Sequence, residues 1–245
     1  MDRMLYVAMS GARQVMHRQA TNNHNLANLD TTGFRAAIDR LEARPVYGPG
    51  HPSRVQVQDR AAGADLSQGP IRTTGDPLNV ALRGSGFIAV QDVDGAEAFT
   101  RNGDLSVSPL GMLETSGGQP VLGEGGPITV SPYEEISIAE DGTVSIRPLG
   151  QGAGGLVVLD RIRLVDPEPG SVTRNERGLF TSEEDVEADA GVTLQSGALE
   201  SSNVDRVGAM VTMIELARRF ETQMKMMKSA EETDSAATGL LQSGG

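Results

Sequence analysis

The sequence has no cysteine and no tryptophan, and it holds only five phenylalanines and three tyrosines among its 245 residues. The absence of cysteine excludes disulfide bonds, zinc–thiolate sites, iron–sulfur clusters and thiol catalysis. No run approaches the roughly 18 consecutive apolar residues that indicate a transmembrane helix. The first residues, Met1–Tyr6, also lack the charged and apolar regions that are typical of a secretory signal peptide.

Basic residues are outnumbered, with 21 Lys+Arg against 33 Asp+Glu and a net charge of -12. They are also scattered, whereas nucleic acids and anionic membranes are bound by clustered cations. We therefore predict no nucleic-acid partner. Because the chain has only three histidines and no paired acid–base site at a sensible spacing, we also predict no catalytic residue, no metal ligand, no cofactor and no small-molecule substrate.

Three short motifs could suggest chemistry, and each fits a simpler interpretation. His17 and His24 are seven residues apart, which is too far for the i,i+4 chelation seen in helical metal sites. The Gly84-Ser85-Gly86 motif lacks the remainder of a nucleophile elbow. The acidic loop that begins at Asp92 has Gly103 where a calcium loop requires glutamate.

Proline and glycine divide the chain into three parts. All 12 prolines lie between Pro45 and Pro169, and most of the 30 glycines lie in the same middle region. Since both residue types break helices, long helices are predicted only in the two arms. We predict an N-terminal helical arm at residues 1–44, a β-rich middle domain at 45–199 and a C-terminal helical arm at 200–245.

The middle part carries short apolar runs separated by turn signals. Asp94-Gly95, Asn102-Gly103 and Asp141-Gly142 are dipeptides that accept the positive φ angles of tight hairpins. The clearest predicted hairpin spans residues 136–146. Strands at this spacing, without helical patterns between them, predict an antiparallel β domain. The predicted fold class is therefore α+β, with a helical arm at each end of a β-rich antiparallel middle domain.

The first arm shows heptad spacing over residues 3–28, the pattern of a helix that lies along another helix. Its seam positions are Leu5, Met9, Ala12, Met16, Gln19, Asn23 and Leu26. Polar seam residues such as Gln19 and Asn23 weaken packing but can fix register.

The second arm begins with a predicted capping box, with Ser202 as N-cap and Asp205 three residues later. Two apolar rows follow in the arm. The first row is Met210, Met213, Ala217, Phe220, Met224 and Met227, and the second is Val204, Val207, Val211 and Ile214. Two rows make a wide apolar face that suits more than one neighbour.

Neither arm can be stable as an isolated helix. Fixing one backbone residue costs about 1–2 kcal/mol, whereas burying a whole Leu or Met side chain contributes about 1.5–3 kcal/mol. Only about two seam positions occur in every seven residues, so each arm needs the other arm or other chains. The predicted assembly interface consists of Leu5, Met9, Ala12, Met16, Gln19, Asn23, Leu26, Val207, Val211, Ile214, Ala217, Phe220, Met224 and Met227.

Motifs along nearly the whole chain resemble those of the bacterial flagellar axial proteins, the family of rod, hook and hook-associated subunits. The N-terminal signature is Asn25-Leu26-Ala27-Asn28 followed by Thr31-Thr32-Gly33-Phe34-Arg35. Further similar motifs are Asp65–Gly69, Thr74–Leu78, Gly84–Phe87, Thr100–Gly103 and Gly197–Val204. The motifs are most similar to those of proximal-rod members, and the distal-rod members are the nearest relatives with which they could be confused.

The resemblance implies a structural subunit of the proximal rod of the flagellar basal body, which polymerises through its terminal helices and transmits torque from motor to hook. It implies that the two arms pair into a discontinuous two-helix domain. It also implies self-association and contacts with other rod proteins and with neighbours in the export apparatus and MS ring. It also implies a periplasmic location and type III export without a cleaved signal. Two rival hypotheses are a distal-rod or hook subunit and, more remotely, a β-domain enzyme or glycan-binding module.

Overall fold

The computed structural model describes the backbone of residues 2–45, 55–150, 155–168 and 170–243. Two helices enclose the strands in chain order: α1 is Asp2–Ala27 and α2 is Arg206–Ser243. The chain divides into two compact units. Unit 1 comprises Met1–Ala27, Ala37–Ala62 and Asp205–Gly245, and unit 2 comprises Asn28–Ala36 and Gly63–Val204.

The strands are short and most of them belong to unit 2. They are β1 Ala37–Pro45, β2 Val55–Ala64, β3 Ile71–Thr73, β4 Val80–Arg83, β5 Phe87–Gln91, β6 Glu97–Thr100, β7 Leu105–Val107, β8 Leu113–Thr115, β9 Leu122–Gly123, β10 Gly126–Pro127, β11 Tyr133–Ile138, β12 Thr143–Pro148, β13 Val157–Arg161, β14 Leu164–Val165, β15 Val172–Arg174, β16 Phe180–Ser182, β17 Thr193–Ser196 and β18 Ala198–Glu200. With two terminal helices and antiparallel strands between them, the predicted α+β class is confirmed.

Unit 1 is built on an antiparallel pair formed by α1 and α2, which are about 39 and 57 Å long at the usual helical rise. Gly11 lies against the side chain of Gln223. Nearer the other end of α1, Asn22 Nδ2 donates a hydrogen bond of 2.9 Å to the carbonyl of Ala209. These two contacts fix the register and the direction of the pair. Strands β1 and β2 form a separate two-stranded sheet.

The start of α2 differs from the capping box predicted from the sequence. The helix begins at Arg206, and the Asp205 carboxylate accepts a hydrogen bond from the Val207 amide at 3.1 Å, so Asp205 is the N-cap. The Ser202 hydroxyl instead accepts a bond from the Val204 amide, three positions too early to cap the helix. Both residues are good caps, and the heptad pattern alone could not choose between them.

The described residues of unit 2 form a five-stranded sheet in the order β14-β5-β6-β16-β15, a three-stranded sheet in the order β11-β12-β13, and four strand pairs. The predicted hairpin at Asp141-Gly142 is confirmed by the pairing of β11 with β12. The hairpin at Asp94-Gly95 is confirmed by the pairing of β5 with β6. The prediction of a tight hairpin at Asn102-Gly103 was wrong. Gly103 has no side chain because the carbonyl of Val80 occupies that space, 1.7 Å from where a Cβ would lie.

The core of unit 2 lies on both faces of β5. Ile88 and Val90 belong to a large aliphatic cluster on one face, and Phe87 and Ala89 belong to a smaller cluster with Phe180 on the other. The rings of Phe87 and Phe180 lie 5.1 Å apart between centroids, a separation at which tilted aromatic pairs attract each other. A strand buried on both faces requires a continuous apolar run, and this is what the sequence shows at residues 87–90.

Candidate assembly interface

On α1, the buried row and the exposed apolar row are neighbours around the helix. Ala8, Ala12 and Val15 are buried, whereas Met9 and Met16 are 45% and 58% exposed. The predicted seam therefore contains two kinds of position. Ala12, with the half-buried Gln19 and Leu26, lies in the buried row, while the two methionines follow the buried row by one residue and face outward.

On helix α2 an exposed row also follows the buried row by one residue. Leu216 is buried, and the half-buried Phe220 and Met227 continue its row. Met210 and Met224 follow the buried row by one residue, and they are 52% and 46% exposed. Ala217, between them in heptad spacing, is also exposed.

The two exposed rows form one surface of unit 1. Each residue advances about 100° around an α-helix. On both helices the exposed row therefore lies about a quarter turn from the buried row, in the same sense when each helix is viewed from its N-terminus. In an antiparallel pair this places both rows on the same side. We name this surface the methionine face, and its members are Leu5, Met9, Met16, Met210, Ala217 and Met224.

Three further predicted residues lie elsewhere on α2. Val207, Val211 and Ile214 are all more than half exposed, and helical geometry places them on the side of α2 opposite Leu216. We name them the valine row. The remaining predicted residue, Asn23, is exposed. The polar residue buried in the helix pair is its neighbour Asn22.

The signature residues occupy both units. In unit 1, Asn25 accepts a hydrogen bond from the Ala37 amide at 2.8 Å and donates one to the Ala37 carbonyl at 3.0 Å. This pair of bonds fixes the start of β1 beside α1. In unit 2, the Thr31 hydroxyl donates to Asn28 Oδ1 at 3.2 Å. Leu26 is half-buried, as is Thr32, while Ala27 is exposed.

The end of the signature surrounds a buried charge cluster in unit 2. Arg35 Nη2 lies 2.7 Å from Glu200 Oε1, and Arg101 Nη1 lies 3.0 Å from Glu200 Oε2. The same Oε1 accepts a bond of 2.7 Å from the Gly69 amide. All three charged side chains are at most 2% exposed, so one carboxylate holds together segments from four parts of the chain.

The cluster carries one more positive than negative charge. Burial lowers the pKa of Arg101 from its ordinary value and the charge of Arg35 lowers it further, whereas Glu200 acts in the opposite direction. Among the described residues, Nε and Nη1 of Arg35 have no hydrogen-bond partner. Removal of the Glu200 carboxylate would leave two buried guanidinium groups without the counter-charge that they share.

Phe34 and Arg174 form a second contact of the signature within unit 2. The Arg174 guanidinium lies 4.4 Å from the centre of the Phe34 ring, within cation–π range, and donates a hydrogen bond to the Arg35 carbonyl. Burial lowers the pKa of Arg174. Phe34 is therefore held by a stacked cation rather than by aliphatic neighbours alone.

We expect Gly33→Ala to destabilise unit 2 by about 3 kcal/mol or more, because its positive φ and a steric clash act together. Gly33 has a φ of 68°, and a Cβ there would lie 2.3 Å from the Arg101 backbone. Gly75→Ala is the matched control, since Gly75 has a φ of 82° and nothing within 4 Å of its Cβ position. Urea unfolding of both variants measures the difference, and equal losses would exclude the clash.

No sequence pattern predicted the charge cluster. Arg35 and Glu200 are 165 residues apart, and Arg101 and Glu200 are 99 apart, so no local spacing joins them. The methionine face differs, because its heptad spacing was visible in the sequence. The spacing did not indicate which heptad positions are buried between α1 and α2 and which remain exposed.

A membrane-spanning helix and a metal centre are both absent from the part of the chain that the structure describes. No helix there combines the length and apolar character needed to cross a membrane. No group of three or more His, Cys, Asp and Glu side chains there is placed to hold a metal ion. His17 lies 3.5 Å from Asp39, and the same carboxylate accepts a bond from Thr21.

Comparison with known proteins identifies the class to which this fold belongs. Residues 81–146 match the family described as flagellar hook protein FlgE/F/G D1 domain, and residues 195–240 match the family described as flagellar basal body rod FlgEFG protein C-terminal. The paired terminal helices and the β-rich unit 2 are thus those of a flagellar rod and hook protein.

Full-length relatives narrow the class to one family. The flagellar basal-body rod protein FlgF of Salmonella typhimurium is 44% identical, with 98% of this chain and 99% of the relative covered. FlgF of Escherichia coli is 43% identical over the same shares, and FlgF of Caulobacter vibrioides is 32% identical over 97% of both chains. The chain belongs to the FlgF family of flagellar basal-body rod proteins.

Proposed function

We propose that the chain is a structural subunit of the proximal flagellar rod, and that it polymerises through the exposed apolar faces of its terminal helices. The observation that carries the proposal is the methionine face. Four methionines that are each about half exposed lie on one side of a helix pair. An apolar surface of this kind marks a protein–protein contact, and methionine side chains adapt to irregular partners.

The energetics support assembly rather than an isolated monomer. Burying the exposed half of each methionine contributes roughly 1 kcal/mol. Several such residues on each copy, together with the valine row, offset part of the cost of association. In a polymer every subunit gains these contacts from more than one neighbour. The rod then transmits torque because its helices are packed laterally along its length.

Partners and location follow from the same proposal. The partners are other copies of the chain, the other rod proteins, and the export apparatus and MS ring next to the rod. The subunit lies in the periplasmic part of the basal body and is exported by the flagellar type III apparatus without cleavage. It performs no catalysis, since its role is mechanical.

We expect a strain without this gene to be non-motile and to regain motility when the wild-type chain is supplied. Basal bodies purified from the complemented strain should contain the chain in their proximal rod, labelled by an antibody or resolved in a map. Labelling confined to the distal rod or hook would assign the chain to that position instead. Normal swimming of the deletion strain would contradict a structural role.

A further inference from the structure

Methionines are concentrated in unit 1. Nine of the ten methionines of the sequence lie there, and only Met112 belongs to unit 2. The buried members of the large core cluster of unit 2 are all Ala, Val, Leu or Ile. The methionine face therefore brings to the surface of unit 1 a side chain whose thioether can react as well as pack.

The thioethers of the methionine face are accessible to small oxidants in a single copy of the chain. Met9, Met16, Met210 and Met224 are 45%, 58%, 52% and 46% exposed, respectively. The sequence has no cysteine, so no thiolate of the chain competes for an oxidant. Because oxidation follows exposure, these four side chains should react before the half-buried Met112.

We propose that the methionine face is a site of reversible oxidation, and that a subunit whose face is oxidised to methionine sulfoxide before assembly cannot enter the rod. This inference rests on the proposed function and adds a redox control of the same surface. With hydrogen peroxide as oxidant, a lone pair of the thioether sulfur attacks one peroxide oxygen and the O–O bond breaks. The sulfur keeps that oxygen as an S=O group and is oxidised by two electrons. The proton of that oxygen passes to the departing hydroxide, which leaves as water.

Oxidation changes the character of the surface. A sulfoxide is polar and its oxygen accepts hydrogen bonds, whereas Leu5 and Ala217, the other members of the face, have no side-chain donor. Burying an acceptor without a donor is unfavourable, so an oxidised copy loses the apolar contact on which assembly depends. Methionine sulfoxide reductases restore the thioether, which makes the control reversible.

Leucine substitutions separate oxidation from packing. Met9→Leu/Met16→Leu/Met210→Leu/Met224→Leu keeps the face apolar with side chains of similar volume, but it removes all four thioethers. Met112→Leu is the matched control, because it removes a thioether outside the face. A deletion strain produces the wild-type chain or either variant during exposure to a sublethal concentration of hydrogen peroxide. Basal bodies that contain the chain are then counted with an antibody.

We expect peroxide to lower the number of these basal bodies about fivefold or more for the wild-type chain and for Met112→Leu. The fourfold leucine variant should assemble equally well with and without peroxide. Equal sensitivity of all three chains to peroxide would overturn the inference. Failure of the leucine variant to assemble without peroxide would also overturn it, because an apolar face should suffice for assembly.

The wild-type chain in the same cells provides a second measurement. Mass spectrometry compares its sulfoxide content in basal bodies with that of the unassembled chain. Sulfoxide at the four methionines should be about tenfold more abundant in the unassembled chain, and equal content in both would contradict the exclusion of oxidised subunits. Peroxide-insensitive assembly of the wild type would overturn the redox control alone, whereas swimming of Met9→Glu/Met224→Glu would overturn the proposed function.

Discussion

Glu200→Gln should lower the free energy of unfolding by about 3–5 kcal/mol, because it leaves two buried guanidinium groups without their shared counter-charge. Glutamine has nearly the same shape as glutamate, so the loss reports the charge rather than a cavity. For a chain of this size the change corresponds to a fall in Tm of about 10 °C. Thermal and urea unfolding followed by circular dichroism measure it.

The control for this prediction is the exposed Glu187 of the same unit. Glu187→Gln should change stability by no more than about 0.5 kcal/mol, as surface substitutions usually do. If both variants unfold at the same urea concentration as the wild type, the buried charge cluster does not stabilise unit 2.

Placing acids on the methionine face should abolish rod assembly while the subunit stays folded. In Met9→Glu/Met224→Glu both new side chains remain in water in the monomer, so stability should change by only about 0.5 kcal/mol for each substitution. On assembly the carboxylates would be buried without partners, at a cost of several kcal/mol each. We expect a complemented deletion strain to produce the variant but not to swim.

Val93→Glu/Leu110→Glu is the matched control, since these two residues of unit 2 are 80% and 83% exposed. It adds the same two charges to exposed apolar positions outside the helices. This control should support swimming at the wild-type level. If the methionine-face variant swims equally well, the face is not an assembly surface and the proposed function loses its support.

Sequence reasoning predicted the class of each part of the chain because that information is local. Heptad spacing at residues 5–26 requires a helix against a helix, and Asp141-Gly142 between apolar runs requires a hairpin. The structure has both, with α1 ending at Ala27 and β11 paired with β12. The predicted domain boundaries, after residue 44 and after residue 199, stay a prediction.

The features that sequence reasoning missed depend on contacts between distant segments. Two apolar rows one residue apart both satisfy a heptad, and the spacing alone does not indicate that Ala8 and Ala12 belong to the buried row. Glu200 gave no local signal, because its partners come from other strands and loops. The sequence around Gly103 resembles a turn, but the position requires glycine because the backbone of Val80 leaves no space for a Cβ.

Methionine oxidation by peroxide tests whether the subunit assembles through the methionine face. Mass spectrometry compares the oxidation between the purified monomer and assembled basal bodies. Oxidation follows the exposure of the thioether. Met9, Met16, Met210 and Met224 should react readily in the monomer and about tenfold more slowly in the rod. Met112 of unit 2 is half-buried in the monomer and serves as the internal reference. Equal oxidation of the four methionines in both states would contradict assembly through the methionine face.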